Sequence, residues 1–221
     1  MELYKIITLT QDEMQKCIAF SEESAKTQQQ IEFGQKDTKP RSIDEIARDN
    51  LIGKMAEVAV SRMLREEYGI HFPVNFDIYP RGEWDDCDVQ IKAWTIDIKS
   101  TRSGKWLLFE TSKLKMRQNQ KINNLPDAVI MCRTPWDRDN DKPRGSVELI
   151  GAISVYALLK NTNHRVLHLK KGDVIPNTKA RLQADNLAIR FEDINHDWDK
   201  IIDYMVKTMP PDISSLHIPD G

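Results

Sequence analysis

The sequence predicts a mixed α/β (α+β) fold, a central mixed β-sheet flanked by helices, and three observations carry that reading. Apolar residues recur at helical spacing from Ile43 to Tyr68, and between Ile70 and Ser100 the pattern shortens to strand-like runs separated by turn residues. Farther on, Ala128 to Cys132 (AVIMC) is an uninterrupted apolar run of strand length, as expected of a buried strand. Helix, strand cluster, helix, strand, strand is the order of a layered domain.

The elements follow in chain order. Thr10-Gln11-Asp12-Glu13 has capping-box form and predicts a helix from Gln11 to Gln30, whereas the polar, aperiodic Glu32 to Arg41, with Gly34 and Pro40, reads as a loop. Ser42-Ile43-Asp44-Glu45 is a second capping box. Behind it Ile46, Leu51, Ile52, Met55, Ala56, Ala59, Val60, Met63 and Leu64 form one apolar stripe that ends at Tyr68-Gly69. Val89 to Ile91 and Thr95 to Lys99 pair as a hairpin through Lys92-Ala93-Trp94, and Trp106 to Phe109 is a third strand. A basic helix from Ser112 to Ile122 precedes the buried strand, and Trp136 to Arg144 reads as a polar loop. A strand from Val147 to Ile153, a short helix from Val155 to Leu159, a strand near Leu187 to Phe191 and a helix from Trp198 to Met209 complete the chain. This divides it into an N-terminal helix and loop (1–41), a core (42–160), and a C-terminal extension (161–221) whose basic loop, strand and helix pack on that core.

With 221 residues and 40% hydrophobic content, the chain suffices for one substantial core and is short for two. Neither a membrane-spanning run of roughly eighteen apolar residues nor a signal peptide is visible, so a cytoplasmic protein without membrane contact is expected. Cys17, Cys87 and Cys132 are odd in number and lack CxxC spacing, which argues for free thiols rather than disulfides or a zinc site. The net charge of −2 conceals segregation. Lys99 to Lys121 holds seven basic residues against one acid, and Lys160 to Arg181 holds six against one. Each is either a solvated face or a surface for nucleic-acid phosphates.

In Thr95-Ile96-Asp97-Ile98-Lys99 a period of two puts Ile96 and Ile98 on one face and Asp97 and Lys99 on the other. The apolar pair anchors the strand while a carboxylate and an ammonium project together. A second acid-x-Lys triplet, Asp37-Thr38-Lys39, lies in a polar loop with no strand to hold it. Upstream, Asp85, Asp86 and Asp88 precede the first hairpin strand, and the hairpin brings the start of that strand near the middle of the next. Glu57 sits among small and apolar residues on the best helix, where a charge is costly to bury unless it meets a partner or a metal.

This ordered set resembles the PD-(D/E)XK nuclease superfamily, which includes many type II restriction enzymes and archaeal Holliday-junction resolvases. The resemblance covers Ile43 to Val129: a helix with Glu57, an Asp opening a strand, the Asp97-Ile98-Lys99 triplet, a basic helix and a buried strand. Cys87 stands where the family has a nominal proline, which leaves Asp85 and Asp86 as rivals to Asp88; Asp88 is favoured because it abuts the apolar strand. The resemblance implies a restriction-endonuclease-like core and Mg²⁺-dependent hydrolysis of phosphodiesters, with Mn²⁺ able to substitute. A hard cation offsets phosphate charge and lowers the pKa of bound water. By resemblance, Asp88, Asp97 and the main-chain carbonyl of Ile98 hold the metal. Glu57 completes the shell or helps hold a second ion, and Lys99 orients the attacking water or stabilises the transition state.

Arg102, Lys105, Lys113, Lys115, Arg117, Gln118 and Lys121 would contact nucleic acid, the cations at phosphates and Gln118 at base edges or sugars. DNA is the expected substrate ahead of RNA. The family often acts as dimers, because cutting a duplex requires two sites, although no residue here marks such an interface. Two alternatives stay open: a nuclease acting on single-stranded DNA or RNA in defence or repair, and a non-catalytic nucleic-acid-binding subunit that keeps the fold. The bland counterpart is a cross-strand surface ion pair at Asp97 and Lys99 with Glu57 as an ordinary helix residue.

Overall fold

The computed structural model describes residues 4–29, 42–78, 88–112, 126–213 and 216. The chain forms two compact units that interleave along it: Met1–Asp88, Ile98–Ser103 and Cys132–Leu149 in the first, and Val89–Asp97, Gly104–Met131 and Ile150–Gly221 in the second.

In the first unit, strand β1 (Lys5–Thr8) leads into helix α1 (Gln11–Gln29), and helix α2 (Ile43–Tyr68) packs against α1. Both predicted capping boxes form. Thr10 N–H donates to Glu13 Oε2 at 2.8 Å and Glu13 N–H to Thr10 Oγ1 at 3.3 Å; Ser42 and Glu45 make the same reciprocal pair at 2.8 and 3.2 Å. Gly69 ends α2 in the left-handed region at φ 65°, a conformation that costs a residue without Cβ little. Every residue of the predicted α2 stripe is buried, and Val58 and Lys54 are buried with them. Each large apolar side chain so placed contributes about 1.5–3 kcal/mol.

A five-stranded sheet has the order β1-β8-β5-β3-β2. Its members after β1 are β2 (Val89–Ile91), β3 (Trp94–Thr101), β5 (Ala128–Arg133) and β8 (Ser146–Ser154). β1 runs antiparallel to β8, and β2 to β3 with Val89 opposite Ile96 and Ile91 opposite Trp94. The bonds from Asp127 N–H to Thr95 O (2.7 Å) and from Thr134 N–H to Thr101 O (2.8 Å) advance together along both chains, so β3 and β5 are parallel. Val155 N–H to Asp127 O, and Arg133 to Glu148, advance oppositely, so β5 and β8 are antiparallel. The sheet is therefore mixed, and helices flank it, as the sequence predicts. From Ala128 to Cys132 no β5 residue is more than 3% exposed, which is why its run is continuously apolar rather than alternating.

The β2–β3 turn is tighter than expected: only Lys92 and Ala93 lie outside the strands, with Lys92 at φ 54°, and Trp94 already belongs to β3. In the second unit Trp94 is fully buried, its Nε1 donates to Thr208 O at 3.0 Å, and its ring lies 5.6 Å from Tyr204 of helix α4 (Trp198–Lys207). β4 (Trp106–Glu110) does not join the large sheet. It pairs with β10 (Asn186–Arg190), which pairs with β9 (Leu167–Leu169). Helix α3 (Val155–Lys160) follows β8. The segment read as a polar loop contains a small hairpin, β6 (Trp136–Asp137) with β7 (Lys142–Pro143), whose turn is tied by Asp137 accepting from the N–H groups of Asp139 and Asn140. The predicted basic helix falls outside the described residues beyond Ser112. Among the described residues no helix is long and apolar enough to cross a membrane.

Gly151 in β8 admits the Asn195 carbonyl so closely that a Cβ would sit 2.1 Å from its oxygen, while Ala152 N–H donates to the same oxygen at 3.0 Å. Gly151→Ala is expected to lower unfolding free energy by about 3 kcal/mol in urea titrations; an unchanged midpoint would contradict this packing.

Cys17 and Cys132 are fully buried free thiols, and burial raises both pKa values, that of Cys17 from 9.0 to about 12. A thiol held neutral in the fold contributes stability below the unfolded value, and that contribution fades as pH climbs through the interval from 9.0 to about 12. Stability should therefore fall more as pH rises from 9.0 toward about 12 in wild type than in Cys17→Ala, followed by urea unfolding at each pH.

Candidate active site

Strand β3 positions the triplet. Trp94, Ile96 and Ile98 are buried on one face, and Thr95, Asp97 and Lys99 are half-buried on the other, in the alternation a pleated strand dictates. Two side-chain locks hold the strand. Near its start, Thr95 N–H and Oγ1 both donate to Asp127 Oδ2 at 2.9 Å. Toward its end, Ser100 and Thr134 share a hydroxyl hydrogen bond of 3.0 Å, with Thr134 fully buried.

Asp88 meets the triplet directly. Its Oδ2 accepts the main-chain N–H of Ile98 at 2.6 Å, a charge-assisted bond that ties the carboxylate opening β2 to the residue between Asp97 and Lys99. Asp88 is half-buried; Asp85 and Asp86 lie outside the described residues.

Glu57 has a partner of the kind its sequence setting calls for. Its Oε2 accepts from Lys54 Nζ at 2.5 Å, one turn back on α2, with the two side chains 20% and 8% exposed. The Lys54 ammonium also donates to Asn75 O at 2.7 Å and lies 4.4 Å from the Phe20 ring centroid and 5.6 Å from that of Phe76. The rings of Phe20 and Phe76 meet edge-to-face at 6.0 Å. Carboxylate, carbonyl and aromatic faces together compensate a buried ammonium. The carboxylate in the apolar stretch of α2 thus has a partner on its own helix, and the (i, i+3) spacing of Lys54 and Glu57 was the available signal.

Arg102 and Lys105, just beyond β3, are both exposed. Arg102 Cζ lies 5.9 Å from the Trp136 ring centroid, as does Arg48 Cζ. Asp141 fastens this cluster by accepting from Trp136 Nε1 at 3.0 Å and from Arg48 at 2.7 Å. The bond from Trp136, with the Arg48 charge beside it, holds the Asp141 carboxyl below the usual carboxylate range. Sequence reading passed over Arg48 and Trp136 because they stand 88 positions apart. Lys113, Lys115, Arg117, Gln118 and Lys121 lie outside the described residues. Among the described residues no group of three or more His, Cys, Asp or Glu is arranged to hold a metal ion.

The Lys54 and Glu57 pair makes a separable prediction. Lys54→Met leaves a half-buried carboxylate without its cation and should cost about 3 kcal/mol. Adding Glu57→Gln should restore more than half of that loss in urea unfolding, and strictly additive losses would contradict a coupled pair.

No family model, no curated protein and no solved structure matches this chain.

Proposed function

We propose that this chain is a metal-dependent nuclease with a restriction-endonuclease-like core, hydrolysing phosphodiester bonds in nucleic acid, DNA ahead of RNA. The observation that carries the reading is the bond from Ile98 N–H to Asp88, which draws a second carboxylate against Asp97-Ile98-Lys99. The order of α2, β2 and β3, and the parallel pairing of β3 with β5, support it further.

The donor chemistry fits a hard divalent ion at Asp88 and Asp97, with the Ile98 carbonyl beside them: carboxylate and carbonyl oxygens are the ligands Mg²⁺ and Mn²⁺ take. When bound, such an ion offsets phosphate charge and makes hydroxide available near neutral pH. The residues do the rest. Lys99, on the same face of β3 as Asp97, holds the attacking water or donates to a non-bridging phosphate oxygen as negative charge grows there. Asp88 is oriented by its bond to Ile98, so one main-chain N–H sets the position of one ligand. Exposed Arg102 and Lys105 follow the triplet and contact flanking phosphates. Action on both strands of a duplex calls for two copies of the site. A cytoplasmic location accords with the free thiols.

A second reading has its own support: Lys54 already neutralises Glu57, which suits a nucleic-acid-binding subunit without catalysis. Purified protein incubated with plasmid and with labelled single strands in Mg²⁺, Mn²⁺ or EDTA separates the two. Wild type should cut only with metal, Lys99→Ala should be at least ~100-fold slower, and Asp88→Asn should lose activity that Asp85→Asn and Asp86→Asn retain. Equal cleavage by wild type and Lys99→Ala would sink the nuclease reading; nucleic-acid binding without calorimetric uptake of Mg²⁺ or Mn²⁺ would favour the second.

A further inference from the structure

The first unit contains a cleft of about 360 Å³ between α1, α2 and the chain from His71 to Phe76. This lies near the lower end of ligand pockets, about 300–1,000 Å³, and suits one small molecule rather than a polymer. Its lining is divided by chemistry. Val58, Phe72 and Phe76 supply apolar surface, and Lys16, Arg65 and His71, all exposed, supply nitrogen donors.

The remaining charges in the cleft are mutually engaged. Arg62, only 16% exposed, donates to Thr8 O and to Glu13 Oε2, each at 2.6 Å. Glu13 is thereby neutralised while it caps α1, and Arg62 forms a fixed wall. Arg65 contacts Glu66 at 3.1 Å, but with both side chains half exposed or more that pair is weakly held and can be exchanged for a stronger anion. Apolar and aromatic surface beside cationic donors is complementary to a planar body carrying a phosphate.

We propose that this cleft is a binding site for a single nucleotide, its base against Phe72 and Phe76 and its phosphate at Lys16, Arg65 and His71. Neither Asp88 nor Asp97 lines the cleft, and the proposal does not depend on the nuclease reading. Calorimetric titration of the full chain in EDTA with adenosine 5′-monophosphate, adenosine and inorganic phosphate tests it. The monophosphate is expected to bind at least ~10-fold more tightly than either part alone. Lys16→Glu with Arg65→Glu, both at exposed positions, should weaken it by at least ~10-fold with the thermal midpoint unchanged. Lys99→Ala should bind like wild type.

Absence of binding at millimolar monophosphate would overturn the proposal. So would equal affinity for inorganic phosphate, since the apolar surface would then contribute nothing. Binding that survives the double charge reversal, or that disappears in Lys99→Ala, would place the nucleotide elsewhere and overturn it as well. Absence of metal-dependent plasmid cleavage by wild type, with nucleotide binding intact, would count against the nuclease reading alone.

Discussion

The candidate chemistry depends on the burial of one face of β3. Asp97 and Lys99 project together only while Trp94, Ile96 and Ile98 occupy the opposite face, and a slip of one residue would send the charged pair into the core and the apolar residues out. Register is defended by directional bonds as well as by burial. Asp127 takes both donors of Thr95, Asp88 takes the N–H of Ile98, and Thr134 meets Ser100. Hydrophobic burial selects the face; these polar locks select the position along the strand. Since the locks draw on Asp and Thr side chains placed at strand ends, they also explain why polar residues are retained at the margins of an otherwise apolar sheet.

Periodicity made much of this legible. Both capping boxes, the α2 stripe, the β2–β3 pairing and the buried β5 run follow from spacing and residue type, because each depends on contacts within a few residues or on a face that must be covered. Long-range choices did not show. β1 is four residues, Lys5-Ile6-Ile7-Thr8, too short for a pattern, and it owes its strand form to β8. Nothing in Trp106 to Glu110 announces that β4 pairs with β10 instead of extending the large sheet. The Trp136 hairpin was masked by its polarity, since an Asp carboxylate that accepts from the backbone N–H groups of its own turn looks, in composition, like part of an unstructured loop.

The candidate site was legible to a similar degree. The face shared by Asp97 and Lys99 follows from alternation alone, and the approach of Asp88 follows from hairpin geometry. Glu57 was singled out for a sound reason, a carboxylate amid apolar residues, but the compensating cation lay three residues away in plain view. Lys54 was easily overlooked because lysine usually extends to solvent; here two phenylalanines and a carbonyl make burial of its ammonium tolerable. The acid in the apolar stretch of α2 called for a compensating group, and Lys54 supplies one.

Strand β5 has a consequence for the way the chain is made. Its apolar residues are flanked by β3, already synthesised, and by β8, which is complete only at Ser154. During translation the run Ala128 to Cys132 emerges before one of its two neighbours exists, and it carries no charge of its own to discourage pairing with another chain. The short interval occupied by the β6–β7 hairpin sets how long that exposure lasts, so a slow stretch of translation there would matter more to the yield of folded protein than the same delay after Ser154.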